Sequence, residues 1–457
     1  MDLQQFTRLL KKTGDLLVVD EAVDPCLEIA ALSALSVDQQ GPALLFARPR
    51  GSRFPVLINA FASPRRLALA LNQTSLEDFG VKACGLLQQP QSNAVHDIVV
   101  CGEPPCREVV RSGAEAHFQL LPQITLWPGD AGPCLTAAVV ATRHPETGQV
   151  NAGIYRMQII DDFRATLGWH PGSGAHEHFA AAKRRERPLG VAVILGAPPA
   201  VTLAASFPLP ADRDEFQFAA HFCQPSLTMA RCVTMDLPVP ADSQIVLEGF
   251  ADPEQAFLEG PFTNHTGWQT APRPCAVFQL KSISHRSEPF FQAIAAGPPP
   301  SESCWMAKAF ESVLRRQITT GFAEVHDISL PLEGIFQNFC FISVKHHCAE
   351  PIELLAALLK TSCLQRFRFL VAVDEAVDVG DSSKVLWRIG NCVQPGRDIR
   401  ILKGPLAPWH DSPTPGHGAK VLVDATRKNH HQSMPGYPDP AFKQRIQNLW
   451  RTIQKEA

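Results

Sequence analysis

The chain opens on a helical stripe. Leu3, Phe6, Leu9 and Leu10 recur at three- and four-residue spacing, which puts them on one face of a helix over residues 2–13 that Gly14 stops. A short apolar run at Leu16–Asp20 then predicts a strand. Asp24-Pro25 reads as an N-cap followed by proline at the first helical position, opening a helix to about Val37. Ala43–Phe46 and Phe54–Phe61 predict two more strands, and Ser63-Pro64 repeats the cap signal ahead of RRLALAL. Strands alternating with helices point to an α/β unit at this end of the chain.

The texture changes near residue 110. From there to about 305 the apolar positions fall in short β-branched runs, Leu135–Thr142, Gly153–Ile160, Val191–Leu195, Ile245–Glu248 and Ala276–Ile283. Turn clusters such as HPETGQ and ADPEQ separate them, so this stretch is expected to be largely β, a sheet or barrel. After about 306 the alternation returns: a helix over Ile352–Leu364, a buried strand at Phe367–Val373 and a further helix starting at Ser383–Arg388. The expected fold class is α/β (α+β) in three parts, residues 1–110, 111–305 and 306–457.

Composition narrows the class. A 45% hydrophobic content supports real cores, and a net charge of −3 argues against a nucleic-acid or anionic-membrane partner. The 39 prolines are dispersed, marking turns and not a disordered tract. The 13 cysteines form no CxxC pair, so they read as small buried hydrophobes in a reducing compartment, which places the protein in the cytoplasm. MDLQQFTRLLKKTGD lacks the apolar core of a secretion signal, and no apolar run is long enough to predict a membrane span.

Five constellations could carry chemistry, each with a blander reading beside it. In Asn151-Ala-Gly-Ile-Tyr-Arg156, Asn151 offers a hard-metal ligand and Arg156 a bidentate clamp for carboxylate or phosphate, on opposite faces if the strand is regular. The bland alternative is a half-exposed strand with a surface arginine. Gly168-Trp-His-Pro-Gly-Ser-Gly174 is a loop whose backbone could approach a phosphate and whose His170 could bind metal, or simply a solvated loop. His176 and His178 follow it and read as surface residues. Glu215 in Asp212-Arg-Asp-Glu could complete an oxygen-rich Mg²⁺ or Mn²⁺ site with Asn151, or could be an ordinary acidic first helical turn. Glu248, and Glu259 in Glu259-Gly-Pro-Phe-Thr-Asn264-His-Thr-Gly267, are carboxylates set among apolar residues: proton-transfer candidates, or exposed turn glutamates. In Pro415-Gly-His-Gly-Ala-Lys420-Val-Leu-Val-Asp424-Ala-Thr426, Lys420 could meet a phosphate, or the segment is a loop entering a strand. No GxGxxG, Walker, HExxH or GxSxG pattern is present.

Taken in order, GPALLF, FPVLINAFASPRRLALAL, LPQITLWPGDAG, NAGIYR, LGWHPGSGAHEH, LGVAVILGAPPA, IVLEGF, LEGPFTNHTG and GAKVLVDAT resemble the UbiD family of decarboxylases (prenylated-FMN-dependent, 3-octaprenyl-4-hydroxybenzoate carboxy-lyase-like) along nearly the whole chain. The resemblance implies an N-terminal α/β domain, a central split β-barrel that binds flavin, and a C-terminal α/β oligomerisation domain in a homodimer or homohexamer. It implies reversible, non-oxidative decarboxylation of an aromatic, heteroaromatic or α,β-unsaturated acid. The cofactor would be prenylated FMN, supplied by a flavin prenyltransferase and held with Mn²⁺ (or Mg²⁺) and K⁺.

Carried over residue by residue, the resemblance makes Asn151, His170 and Glu215 the metal ligands. Ile154, Tyr155, Arg156, Leu167, Gly168, Pro171, Gly172 and Lys420 become cofactor contacts, and Arg156 and Glu259 catalytic. Asn264 stands where family members usually carry a second carboxylate, and an amide cannot cycle a proton. The alternative implied is a flavin-binding homologue or partner subunit with little turnover. Segments around Phe291–Pro300, Trp305 and Phe336–Phe341 are expected to line a pocket for a flat, mostly apolar acid.

Overall fold

The computed structural model describes residues 1–89, 99–100, 102–336, 338–361, 363–365, 367–406, 417–428 and 439–456. Pro415 and Gly416 of the last constellation lie outside these residues.

The first helix spans Leu3–Lys12 and buries Leu3, Phe6 and Leu10. Asp2 caps it: its carboxylate accepts the Gln5 N–H at 2.7 Å, and the Gln5 side chain accepts the Asp2 N–H at 3.0 Å. The second helix starts later than its Asp-Pro signal predicts, at Glu28–Asp38. Asp24 spends its carboxylate on the Cys26 N–H, and Leu27 takes a left-handed φ of 71°, so the chain turns before it coils. Strands Leu16–Val19, Ala43–Phe46 and Val56–Ile58 form a sheet whose fourth strand, Phe291–Gln292, arrives from far downstream and pairs in parallel with Val56 and Leu57.

The largest sheet of the middle of the chain is antiparallel. Its strands are β1 (Val139–Arg143), β2 (Val150–Ile154), β3 (Arg164–Leu167), β4 (Leu189–Leu195), β5 (Ile245–Glu259) and β6 (Arg273–His285), in the order β3-β6-β5-β4-β1-β2. Val109–Ser112 pairs with β6 as well. The unbroken apolar run of β4 reflects burial on both faces: Ala192 and Ile194 enter one core, Val191, Val193 and Leu195 the other. ADPEQ, expected as a turn, lies inside β5. The β5–β6 register shifts after Ala251 and resumes at Ala256, and the strand continues to Glu259. That extension places a carboxylate at the far end of a rigid element.

Two helices border the cavity described below, α1 (Gly174–Arg184) and α2 (Glu215–Ala220). A third, α3 (Glu302–Gly321), packs on the helix Leu76–Gln88 so closely that a Cβ on Gly80 would meet the Ser312 carbonyl at 2.5 Å. Buried Glu302 opens α3 and accepts the N–H groups of Asn59 (3.0 Å) and Phe61 (2.9 Å). Beyond it lies a five-stranded sheet, Val325–Ser329, Phe339–Val344, Phe369–Asp374, His417–Asp424 and Ile399–Pro405 in spatial order. The described cysteines are free thiols, most of them buried. Among the described residues no helix is long and apolar enough to cross a membrane.

Candidate active site

A cavity of about 1050 Å³ lies between the central sheet, α3 and the C-terminal segment. It is at the upper end of small-molecule sites, with room for a cofactor and a substrate together.

At one corner, behind Arg156, β5 delivers Glu259, which is 0% exposed and does not itself line the cavity. Arg156 Nη2 donates to its Oε2 at 2.6 Å, Thr166 Oγ1 donates to Oε1 at 2.6 Å, and Cys275 Sγ donates to Oε2 at 3.3 Å. Arg273, the register partner of Glu259, brings its Nε to 3.8 Å. Burial pushes the Glu259 carboxyl up, but the Arg156 charge and the hydrogen bonds from Arg156, Thr166 and Cys275 outweigh it and hold the group below the usual carboxylate range. The Arg156 guanidinium lies over the Phe262 ring, Cζ to centroid 3.1 Å. Gly168 leaves it room, since a Cβ there would stand 3.1 Å from Arg156 Nη2.

Arg156 reaches this corner because the strand is not regular. β2 ends at Ile154, and the chain then kinks into the short strand Met157–Gln158 of another sheet. Asn151 and Arg156, expected on opposite faces, therefore line one cavity.

The same cavity carries the candidate metal ligands. Glu215 opens α2, and its Oε2 accepts the Ala152 N–H at 3.0 Å, beside Asn151. The Tyr155 hydroxyl is hydrogen-bonded with the Ser173 and Asn151 side chains, and the Ser173 N–H donates to the His170 carbonyl at 3.0 Å. Asn151, His170 and Glu215 all face the cavity. Burial pushes Glu215 up to about 7, and burial with the charges of Arg273 and Arg156 pushes His170 down to about 4. A cation would offset the burial of the Glu215 carboxylate, and His170, held neutral, keeps a lone pair to offer it. Buried Asn151 Nδ2 has no hydrogen-bond partner among the described residues. A Cβ on Gly174 would stand 1.9 Å from Asn151 Oδ1, so only glycine at 174 leaves that amide its place. Among the described residues no three His, Cys, Asp or Glu form a metal cluster. The set of one amide, one imidazole and one carboxylate suits Mn²⁺ or Mg²⁺ better than a thiophilic ion.

Models of the 3-octaprenyl-4-hydroxybenzoate carboxy-lyase N-terminal, Rift-related and C-terminal domains match residues 7–82, 98–299 and 304–425. A protein of Archaeoglobus fulgidus is 34% identical over 99% of this chain and 98% of its own, and one of Aquifex aeolicus 33% identical over 98% of each. The chain belongs to the UbiD family. Among solved structures, the UbiD-class enzyme HmfF from Pelotomaculum thermopropionicum in complex with FMN superimposes with a TM-score of 0.87 at 27% identity, covering 97% of this chain and 98% of that one. Vanillic acid decarboxylase from Sedimentibacter hydroxybenzoicus, in its open form, gives 0.84 at 25% identity over 99% of both.

In this UbiD-family chain the expected cofactor positions divide. Ile154, Tyr155, Arg156, Gly168 and Gly172 line the cavity. Leu167 is packed into the β-core, Pro171 is exposed, and neither lines it. Lys420 is buried on its strand and donates Nζ to the Gln365 carbonyl; Gln365 lines the cavity and Lys420 sits behind it. Asn264 lines the cavity with its Oδ1 already taken by the Thr266 N–H (2.8 Å) and hydroxyl (2.6 Å), so it presents an NH₂ donor.

Glu248 is neither exposed nor on the cavity: it is buried and closes a loop by accepting the Val233 and Thr234 N–H groups. His178 is not a surface residue. It sits on the inner face of α1, 5% exposed, with Nδ1 2.9 Å from Thr142 Oγ1. In the expected substrate segments, Ile294, Ala296 and Phe336 line the cavity, whereas Phe291, Trp305 and Phe341 do not. Thr166, Cys275 and Arg273 escaped the sequence reading because only the β3-β6-β5 register brings them to Glu259.

Proposed function

We propose that this UbiD-family protein is a prenylated-FMN-dependent carboxy-lyase that performs reversible, non-oxidative decarboxylation of an aromatic, heteroaromatic or α,β-unsaturated acid. The observation that carries the reading is Arg156, paired with fully buried Glu259 behind it, lining the same cavity as Asn151, His170 and Glu215. The HmfF relatives bound to FMN and to prFMN support the cofactor.

Asn151, His170 and Glu215 would hold Mn²⁺ or Mg²⁺, with K⁺, against the flavin phosphate. Ile154, Tyr155, Arg156 and, from the Leu167–Gly172 loop, Gly168 and Gly172 would contact the flavin, with Lys420 backing Gln365. When bound, the modified flavin supplies the electron sink for the pair left on carbon as the bond to CO₂ breaks. Arg156 keeps Nη2 on Glu259, and its buried Nε has no hydrogen-bond partner among the described residues, so it can turn a second edge to the substrate carboxylate. The carbon then takes up one proton. Asn264 does not titrate and Glu259 is held below the usual carboxylate range, so we assign delivery to water ordered by the Asn264 amide and His265, with Glu259 as the anion that anchors Arg156. Phe262, Ile294, Phe310 and Phe336 give the cavity apolar surfaces suited to a flat acid. We assign residues 1–110, 111–305 and 306–457 to the three domains of a cytoplasmic homodimer or homohexamer served by a flavin prenyltransferase.

The test is co-expression with a flavin prenyltransferase, reading the bound flavin by mass and absorbance and CO₂ release from a panel of acids. Prenylated flavin with release from at least one acid is expected. A second reading, a flavin-binding homologue without turnover, is favoured by Asn264 alone. Bound flavin with no release across a broad panel would select it.

A further inference from the structure

Glu259 receives hydrogen bonds from two side chains that have no assigned role. Thr166 Oγ1 lies 2.6 Å from Oε1 and Cys275 Sγ 3.3 Å from Oε2, and the two residues are 0% and 6% exposed. Sheet register places both. Thr166 stands opposite Val277 on the β3–β6 ladder, and Cys275 opposite Phe257 on the β6–β5 ladder, so neither donor depends on a loop. The direction of the Thr166 hydroxyl is settled by its other neighbour. Its oxygen accepts the Gln158 N–H at 3.0 Å, which leaves its own proton to Glu259.

We propose that Thr166 and Cys275 are positioning residues that hold Glu259 as an anion aimed at Arg156 and thereby set the lower pH limit of turnover. The role in turnover rests on the decarboxylase reading above; the hold on Glu259 does not.

A hydrogen bond given to a carboxylate favours its ionised form. Close donors reach both oxygens of Glu259: Thr166 at Oε1, Arg156 and Cys275 at Oε2. Protonation would turn one of these acceptors into a donor facing the guanidinium, and Arg156 would lose its anchor. The charged and titratable groups around Glu259 are Arg156, Arg273, His170, which burial and the two arginines push down to about 4, and the thiols of Cys134 and Cys275. Burial and the Glu259 charge push the Cys275 thiol up to about 12, so it remains a donor through the working range and never competes as a thiolate. A weak S–H donor holds the anion without the steric demand of a third cation.

Glu259 lies below the usual carboxylate range, so its hold on Arg156 persists above its folded value and is lost as pH falls through it. Removing a donor raises that value. Thr166→Val and Cys275→Ala should move the acid limb of the kcat profile up by about one pH unit each. Thr166→Ser should restore the wild-type limb, and Cys275→Ser, a stronger donor, should match or lower it.

The second readout needs no turnover: infrared titration of the Glu259 carboxyl in the protein as purified, with Glu259→Gln subtracted. The midpoint should rise in the valine and alanine variants and return in the serine variants. A midpoint unchanged in Thr166→Val and Cys275→Ala overturns the proposal. Should either variant fail to fold, a Cys275→Ser midpoint above wild type overturns it equally. A shifted midpoint in a protein that turns over no acid leaves the hold on Glu259 standing and removes the decarboxylase reading instead.

Discussion

The His265 ring stacks on Phe336, centroids 5.4 Å apart and planes 29° from parallel, so the segment following β5 meets the C-terminal part of the chain across the cavity. Ile335 and Phe336 both hold left-handed backbone (φ 50° and 43°), a conformation branched and bulky residues adopt only when their surroundings require it. Stacking of this kind is worth about 0.5–1.5 kcal/mol. Phe336→Ala is expected to raise KM about 3- to 10-fold with a smaller change in kcat, read by steady-state CO₂ release. An unchanged KM would show that the stack does not shape the bound state.

Glu259→Gln should abolish measurable decarboxylation. Removing one partner of a buried ion pair leaves the other uncompensated at a cost of about 3–5 kcal/mol, and here that partner is the arginine that would hold the substrate. Single-turnover CO₂ release on flavin-loaded protein checks this. A fully active variant would sink the assignment of Glu259.

Asn264→Asp should keep or raise turnover, because it puts a titratable group where the amide stands while Asp can still accept from Thr266. The comparison is kcat for the two proteins on one acid across pH. Turnover reduced tenfold or more would mean that the amide's NH₂ donor, not a missing proton, is what the site uses at this position.

Gly174→Ala should weaken binding of the metal proposed at Asn151, His170 and Glu215 without unfolding the protein. The new methyl falls on Asn151 Oδ1 and must push that side chain off its wall. Disturbing the shell around a ligand typically costs 10- to 100-fold in metal affinity. Metal content per chain, measured on variant and wild type purified side by side with Mn²⁺, decides it; equal content would remove Asn151 from the ligand set.

Glu302 makes stability depend on pH. Burial pushes it up to about 7 from an ordinary 4.5, against the hydrogen bonds from Phe61 and Asn59. The folded state therefore holds the proton more tightly than the unfolded chain. Its contribution is fully present below about 4.5, declines as pH rises toward about 7, and is flat above. The stability difference between wild type and Glu302→Gln should fall across that window, by on the order of 3 kcal/mol. Denaturant unfolding at several pH values measures it, and a constant difference would contradict it.

Much of the frame was legible in the sequence because its signals are local. The Leu3–Phe6–Leu10 stripe and the apolar run of β4 each mark their element without help from the rest of the chain. What escaped was set by partners distant in sequence. Arg156 looked misdirected because nothing near it shows that the strand ends at Ile154. His178 looked solvated because its cover, Thr142, lies on β1. Cys275 looked like one more small hydrophobe, and only its place opposite Phe257 turns it toward Glu259.

The strand Phe291–Gln292 closes the first sheet beside Val56–Ile58, and that placement has a consequence during synthesis. At roughly 5–20 residues per second the ribosome takes on the order of ten to fifty seconds to pass from one strand to the other. For that interval the nascent chain presents an open edge of unpaired backbone next to Val56, Leu57 and Ile58, which are fully buried in the finished protein. A fragment released at the end of the first 110 residues would carry that edge permanently and should aggregate, so the amino-terminal unit is born dependent on the middle of the chain.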